Sequence, residues 1–170
     1  AARLGLAPQG VPWHTERSRI GELAGALGVA AGACAKPAGD VVLLSATELG
    51  EVSESAPGDS SSMPHKRNPA AAVTARGAAK RAPGLVATLL AGAEQEFQRA
   101  AGAWHAEWET LVALLRVTAG AAARLRVSLD GLQVHPEAMA RNLDLAAGAQ
   151  GHGTGHAADL VDTVLAGRPA

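Results

Sequence analysis

The stretch GDSSSMPHKRNP, residues 58–69, holds glycine, aspartate, three serines and two prolines in a density that no helix or strand tolerates. Together with the preceding SESAP it forms a loop over residues 53–68, and a loop of that length in a compact domain is usually either functional or disordered. The segments on both sides are rich in alanine, leucine and valine at three- and four-residue steps, which is the helical period. A long loop set between helices predicts an all-α protein.

Working outward from the loop, Pro69 restarts a helix that is expected to run to Phe97, with Pro83 as a kink. A further helix is expected from Trp104 to Leu129, with Trp108, Leu111, Leu115, Thr118 and Ala122 on its apolar face. Upstream, Thr15 is a candidate cap for a helix from Glu16 to Lys36, carrying Ile20, Leu23, Ala24, Leu27 and Ala31. Pro37 then suits the first turn of a second helix, with Val41, Leu44, Thr47, Glu48 and Val52 in period and an end near Ser53. Beyond Gly131 come a short helix over PEAMARNLDL, a glycine-rich break and a last amphipathic segment, AADLVDTVLAG. No strand is expected. The predicted organisation is a long-helix bundle over residues 1–130, carrying the loop at 53–68, with a partial C-terminal helical domain over 131–170.

Composition narrows the function. The 170 residues are 48% apolar, enough for a core, but alanine dominates, with one Phe, three Trp and no Tyr. Small side chains bury little area each, so further burial against partner subunits is expected. Fifteen basic and sixteen acidic residues give a net charge of −1, which provides no field for nucleic acid or an anionic membrane. No uninterrupted apolar run reaches the roughly 18 residues of a membrane span, and no signal-peptide pattern opens the chain, so a cytoplasmic protein is expected. The single Cys34, in GVAAGACA, reads as a small buried side chain. His152 and His156 form an HxxxH, but glycines 151, 153 and 155 disfavour the helix that would make it a chelate, and no metal is expected.

The loop residues suit proton transfer next to a carboxylate. Such a reaction builds a second negative charge on that carboxylate, so a cation and fixed donors must be in place. Lys66 offers the charge and Asn68 the amide. A serine hydroxyl becomes a useful base or acid only where backbone N–H groups and a nearby cation stabilise its alkoxide. A Ser/Gly loop that closes over substrate can create that setting and exclude water. The bland alternative is a solvated linker followed by helix punctuation.

Ser60, Ser61, Met63, Pro64, Lys66, Asn68 and Pro69 stand in the spacing SSxMPxKxNP. That spacing resembles the signature of the fumarase/aspartase superfamily. The resemblance implies helical homotetramers whose active sites are each shared between subunits. It implies addition or removal of a group β to a carboxylate through an enediolate-like intermediate, without metal or organic cofactor. It makes Ser61 the proton-transfer residue and Ser60, Met63, Lys66 and Asn68 substrate-binding residues. Asp59 stands where the family usually has glycine, a departure that bears on the surroundings of Ser61.

Three further stretches, PWHTERSRI (12–20), TELGEVSES (47–55) and RNLDL (141–145), resemble the carboxymuconate cycloisomerase branch. Several lyases carry a glutamate four residues after the NP proline, and Val73 is found here instead, as in that branch. The implied partner is a small dicarboxylate or tricarboxylate substrate, and the implied reaction is lactone formation by intramolecular carboxylate addition. Adenylosuccinate- or argininosuccinate-type lyase activity is the alternative within the superfamily, and a catalytically silent helical oligomerisation fragment is the alternative outside enzymes. Trp13, His14 and Arg17 are implied to line the substrate pocket, with Arg17 preferred over Arg19 for binding a carboxylate. Read without the resemblance, Trp13 is a hydrophobic staple and Arg17 a solvated first-turn residue, while Trp104 and Trp108 are core. The opening AARLGLAPQGVPWH reads as a segment of a longer chain, whose first domain the family would use for further threonine, serine and histidine groups.

Overall fold

Alanine forms helix at the least entropic cost of any residue, and the alanine-rich stretches of this chain are its helices. The computed structural model describes residues 2–8, 10–11, 14–56, 58, 67–146 and 153–167. The helices are α1 (Ser18–Leu44), α2 (Ala70–Ala79), α3 (Ala82–Ala91), α4 (Ala103–Asp130), α5 (Pro136–Ala146) and α6 (Ala157–Ala166), with a short 3-10 turn at Ala2–Leu4. Contacts divide the chain into two units, Ala1–His135 and Pro136–Ala170. In the first, α1 to α4 pack as a long-helix bundle; the second holds α5 and α6.

The core is a seam of small residues. Ala24 and Ala31 of α1, Ala79 of α2, Ala82 and Leu89 of α3, and Leu114, Val117 and Ala121 of α4 form one buried cluster. Cys34 packs partly buried against this cluster. By length and composition α1 could cross a bilayer, since one 18-residue window averages a hydropathy of 1.4 although Glu22, Lys36 and Asp40 interrupt the helix. In the bundle its alanines instead pack against the other helices.

Several sequence expectations are corrected. Helix α1 runs unbroken through Pro37, although an interior proline removes one hydrogen bond and costs about 3 kcal/mol. Burial of Ala38 and Val41 just beyond it offsets that penalty, because packing rather than propensity stabilises most helices in proteins. Thr15 does not cap α1. The N-cap is Arg17, without a side-chain cap bond; just ahead of it Glu16 Oε1 accepts the Ser18 N–H at 2.9 Å, and the hydrogen bonds from Ser18 hold the Glu16 carboxyl below its ordinary 4.5. The helix expected from Pro69 to Phe97 is two helices, broken at Lys80–Arg81, with Pro83 in the first turn of α3 and the end at Ala91.

On α4 the buried residues are Glu107, Leu114, Val117, Thr118, Ala121 and Ser128; of the expected stripe Thr118 is buried and Leu111 packs partly buried against the core. Trp108 is 54% exposed, and Leu115 and Ala122 are exposed too. Apolar residues surround α4, so period alone could not pick the face.

The chain also contains strands that periodicity missed. β1 (Val52–Glu54) pairs antiparallel with β2 (Leu132–Val134) in the register Val52↔Val134, Ser53↔Gln133, Glu54↔Leu132. The helix expected to end near Ser53 stops at Leu44, which leaves residues 45–51 to turn the chain into β1. This ribbon leads straight into the loop.

Candidate active site

The loop springs from β1 and returns through α2, and both legs are held at its base. Gly58 and Asn68 exchange backbone hydrogen bonds, Gly58 N–H donating to the Asn68 carbonyl at 2.9 Å and Asn68 N–H to the Gly58 carbonyl at 3.3 Å. On the outgoing leg, Ser55 N–H donates to the Gly131 carbonyl at 2.8 Å, extending the β1–β2 ladder by one step. A side chain at Gly131 would crowd that step, since a Cβ would sit 2.1 Å from the Ser55 Oγ and 3.0 Å from its Cβ. On the return leg, the Ala71 and Ala72 N–H groups at the start of α2 donate to Glu54 Oε2 and Oε1 at 3.1 and 2.9 Å. An anion at a helix N-terminus satisfies orphan donors and meets the positive end of the helix dipole.

Beside this neck lies a cavity of about 230 Å³ lined by Ser45, Thr47, Ser53, Arg67, Asn68 and His135 among others, with Glu54, whose oxygens are taken by the α2 amides, also in its wall. Ser53 Oγ lies 2.8 Å from His135 Nε2. A guanidinium, an amide, an imidazole and hydroxyls are the groups that recognise carboxylates, so the cavity is chemically suited to an acidic small molecule.

Of the expected site residues, Asn68 is at the neck and half-buried. Ser60, Ser61, Met63 and Lys66 lie outside the described residues, as do Trp13, Asp59 and His152. His14 and Arg17 stand at the other end of α1. The 27 residues of that helix make it about 40 Å long, so a single chain does not bring them to the loop.

Arg17 is committed to a protein carboxylate. Its Nε donates to Glu107 Oε1 at 2.9 Å, a second guanidinium nitrogen bonds Glu107 Oε2, and a third donates to the His14 carbonyl at 3.1 Å. Gln95 Nε2 donates to the same Glu107 Oε1 at 3.0 Å. The fork that the sequence offered to a substrate carboxylate thus holds Glu107, which is 4% exposed. The His14 ring meets Trp104 edge-on at 4.6 Å, and Trp104 meets Trp108 at 5.3 Å, so the tryptophans read as core form an aromatic cluster at the bundle end instead. His156 stands at the N-cap position of α6 without a side-chain cap bond, its Nδ1 3.2 Å from an Asp159 carboxylate oxygen, both side chains exposed.

Sequence reasoning missed Glu54, Ser53, His135 and Glu107. The only signal for the first two was their place in the lead to the loop. His135 is 82 residues from Ser53 and Glu107 is 90 from Arg17, so neither pairing has a local signature.

A family model described as Lyase matches residues 6–84. The chain is 50% identical over 151 residues to a 3-carboxy-cis,cis-muconate cycloisomerase of Pseudomonas putida, which covers 87% of this chain and 36% of that protein. It is 44% identical over 151 residues to a nitrosuccinate lyase of Streptomyces davaonensis, covering 87% and 32%. Among solved structures, it matches the 3-carboxy-cis,cis-muconate lactonizing enzyme from Pseudomonas putida with a TM-score of 0.77 at 44% identity, over 98% of this chain and 35% of that one. The chain spans about a third of the length of the relatives it matches.

Proposed function

Because the chain belongs to the fumarase/aspartase superfamily, we propose that it is the serine-loop part of an enzyme that closes 3-carboxy-cis,cis-muconate into a lactone. One carboxylate of the substrate adds to the conjugated double bond, so that a C–O bond forms and the alkene π pair moves toward a neighbouring carboxylate. The Lys66 ammonium and the Asn68 amide stabilise that second charge. Ser61 Oγ–H delivers a proton to the electron-rich carbon, and the alkoxide recovers a proton from water. Ser60 and Met63 bind substrate from the same loop, and no cofactor takes part.

The observation that carries this reading is the SSxMPxKxNP loop, closed at Gly58 and Asn68 beside a polar cavity. The length of α1 supports a shared site. Trp13, His14 and Arg17 would reach a loop only on a neighbouring subunit, in a cytoplasmic homotetramer. Arg17 would act there by holding His14 through its carbonyl, with Glu107 as its own anchor. The 44% identity to a nitrosuccinate lyase favours, as a second reading, β-elimination from a succinate by the same loop.

Absorbance assays decide between them. Turnover of 3-carboxy-cis,cis-muconate is expected, and Ser61→Ala should lower it by about 10² to 10⁴. Nitrosuccinate, adenylosuccinate and argininosuccinate run in parallel test the lyase alternatives. Undiminished turnover in Ser61→Ala refutes the role of the serine, and silence on every substrate leaves the scaffold without catalysis.

A further inference from the structure

We infer that Glu54 is the positioning residue of the serine loop: its buried carboxylate ties the strand that enters the loop to the helix that leaves it, and so fixes the two ends between which residues 59–67 run. The inference rests on the proposed role of this loop in the reaction.

Three observations carry it. Pro69 stands at the N-cap of α2 and makes no side-chain hydrogen bond, so the helix is capped from 17 and 18 residues upstream instead of by its own neighbour. A cap from so far away does little for the local helix that a serine at position 69 would not do, but it closes the loop. Next, Glu54 is 5% exposed. Moving an ionised carboxylate out of water is unfavourable, and an apolar residue would fill the strand position without that penalty, so what the carboxylate holds together is its compensation. Finally, the neck itself is tight: a Cβ at Gly58 would meet the Ala70 Cβ at 3.1 Å, which leaves the two legs one fitting separation. The Gly58–Asn68 bonds register the legs, the Ser53–His135 contact steadies β1, and Glu54 joins β1 to α2. Asn68, three residues before the first bonded amide, is carried by that junction.

Two variants test this. Glu54→Gln keeps the shape but turns an NH₂ toward one of the two backbone N–H groups, and Glu54→Asp keeps the charge but falls one methylene short. Amide hydrogen exchange is read at Gly58, Asn68, Ala71 and Ala72, with Leu114 and Ala121 as distant controls. In Glu54→Gln, all four loop-base amides should exchange roughly tenfold faster or more while the controls hold. Acceleration confined to Ala71 and Ala72 would reduce Glu54 to an ordinary cap and overturn the inference. With 3-carboxy-cis,cis-muconate as substrate, kcat should fall about 10- to 100-fold in Glu54→Gln with KM changed little, and Glu54→Asp should regain part of it. A loss of kcat that merely tracks the unfolded fraction in both variants would also overturn it. If the unsubstituted chain turns over nothing, the proposed reaction falls, and the exchange pattern alone decides the role of Glu54.

Discussion

Glu107 is a carboxylate almost wholly buried, and its oxygens are occupied by the Arg17 fork and the Gln95 amide. The Arg17 side chain is itself only 16% exposed. Removing one member of such a pair leaves the other charge desolvated and unpaired, which is far worse than never having built the pair. Glu107→Gln should therefore lower stability by about 3 kcal/mol in urea unfolding, and Arg17→Lys should lose a large part of that because an ammonium cannot make the two-pronged contact. Arg17→Met combined with Glu107→Met should be milder than either single change that leaves a charge behind, and a double variant worse than the sum would contradict the pairing. The sequence suggested a substrate carboxylate for the guanidinium at position 17, and in the chain it holds Glu107. The sequence could not indicate this partner, since it sits 90 residues away inside the unremarkable stretch WHAEW.

The β1–β2 ribbon is the element on which the loop depends, and its tolerance is set at one atom. Gly131 ends α4 with an unremarkable negative φ, so its lack of a side chain answers a contact, not a backbone requirement. A methyl there would fall on Ser55 Oγ at 2.1 Å and crowd the Ser55 Cβ at 3.0 Å. Gly131→Ala should cost about 1–3 kcal/mol in thermal unfolding through this overpacking, and Ser55→Gly introduced with it should recover most of the loss. No recovery would mean the strain lies elsewhere. The helices were largely legible because alanine-rich periodic segments admit little else, and α4 was read to within a residue at each end. The strands were not, since three residues are too few to show a period of two. Pro37 misled in the other direction: a local breaker was overridden by packing along the whole of α1, which the sequence around it does not display.

At the scale of the whole molecule, the separation of candidate site residues becomes an argument about assembly. His14 and Arg17 precede α1, whereas the loop base and its cavity follow it, and a helix of 27 residues, about 40 Å in length, lies between the two groups. Val29, Leu43, Val127 and Leu129 leave apolar side chains exposed along the helices, and a core made mainly of alanine buries little area per residue. Both features have one explanation if helices of neighbouring subunits lie side by side and present the N-terminal end of one α1 to the loop of another. The proposed tetramer predicts a solution mass four times the 17.1 kDa of the single chain, read by light scattering. It also predicts that chains carrying Ser61→Ala and chains carrying His14→Ala, each inactive alone, regain turnover when unfolded together and refolded, because a mixed assembly contains some sites in which both residues are intact. A monomeric mass, or a mixture as silent as its parents while the unsubstituted chain is active, would mean that His14 and the loop do not share a site and that α1 ends in two unrelated places.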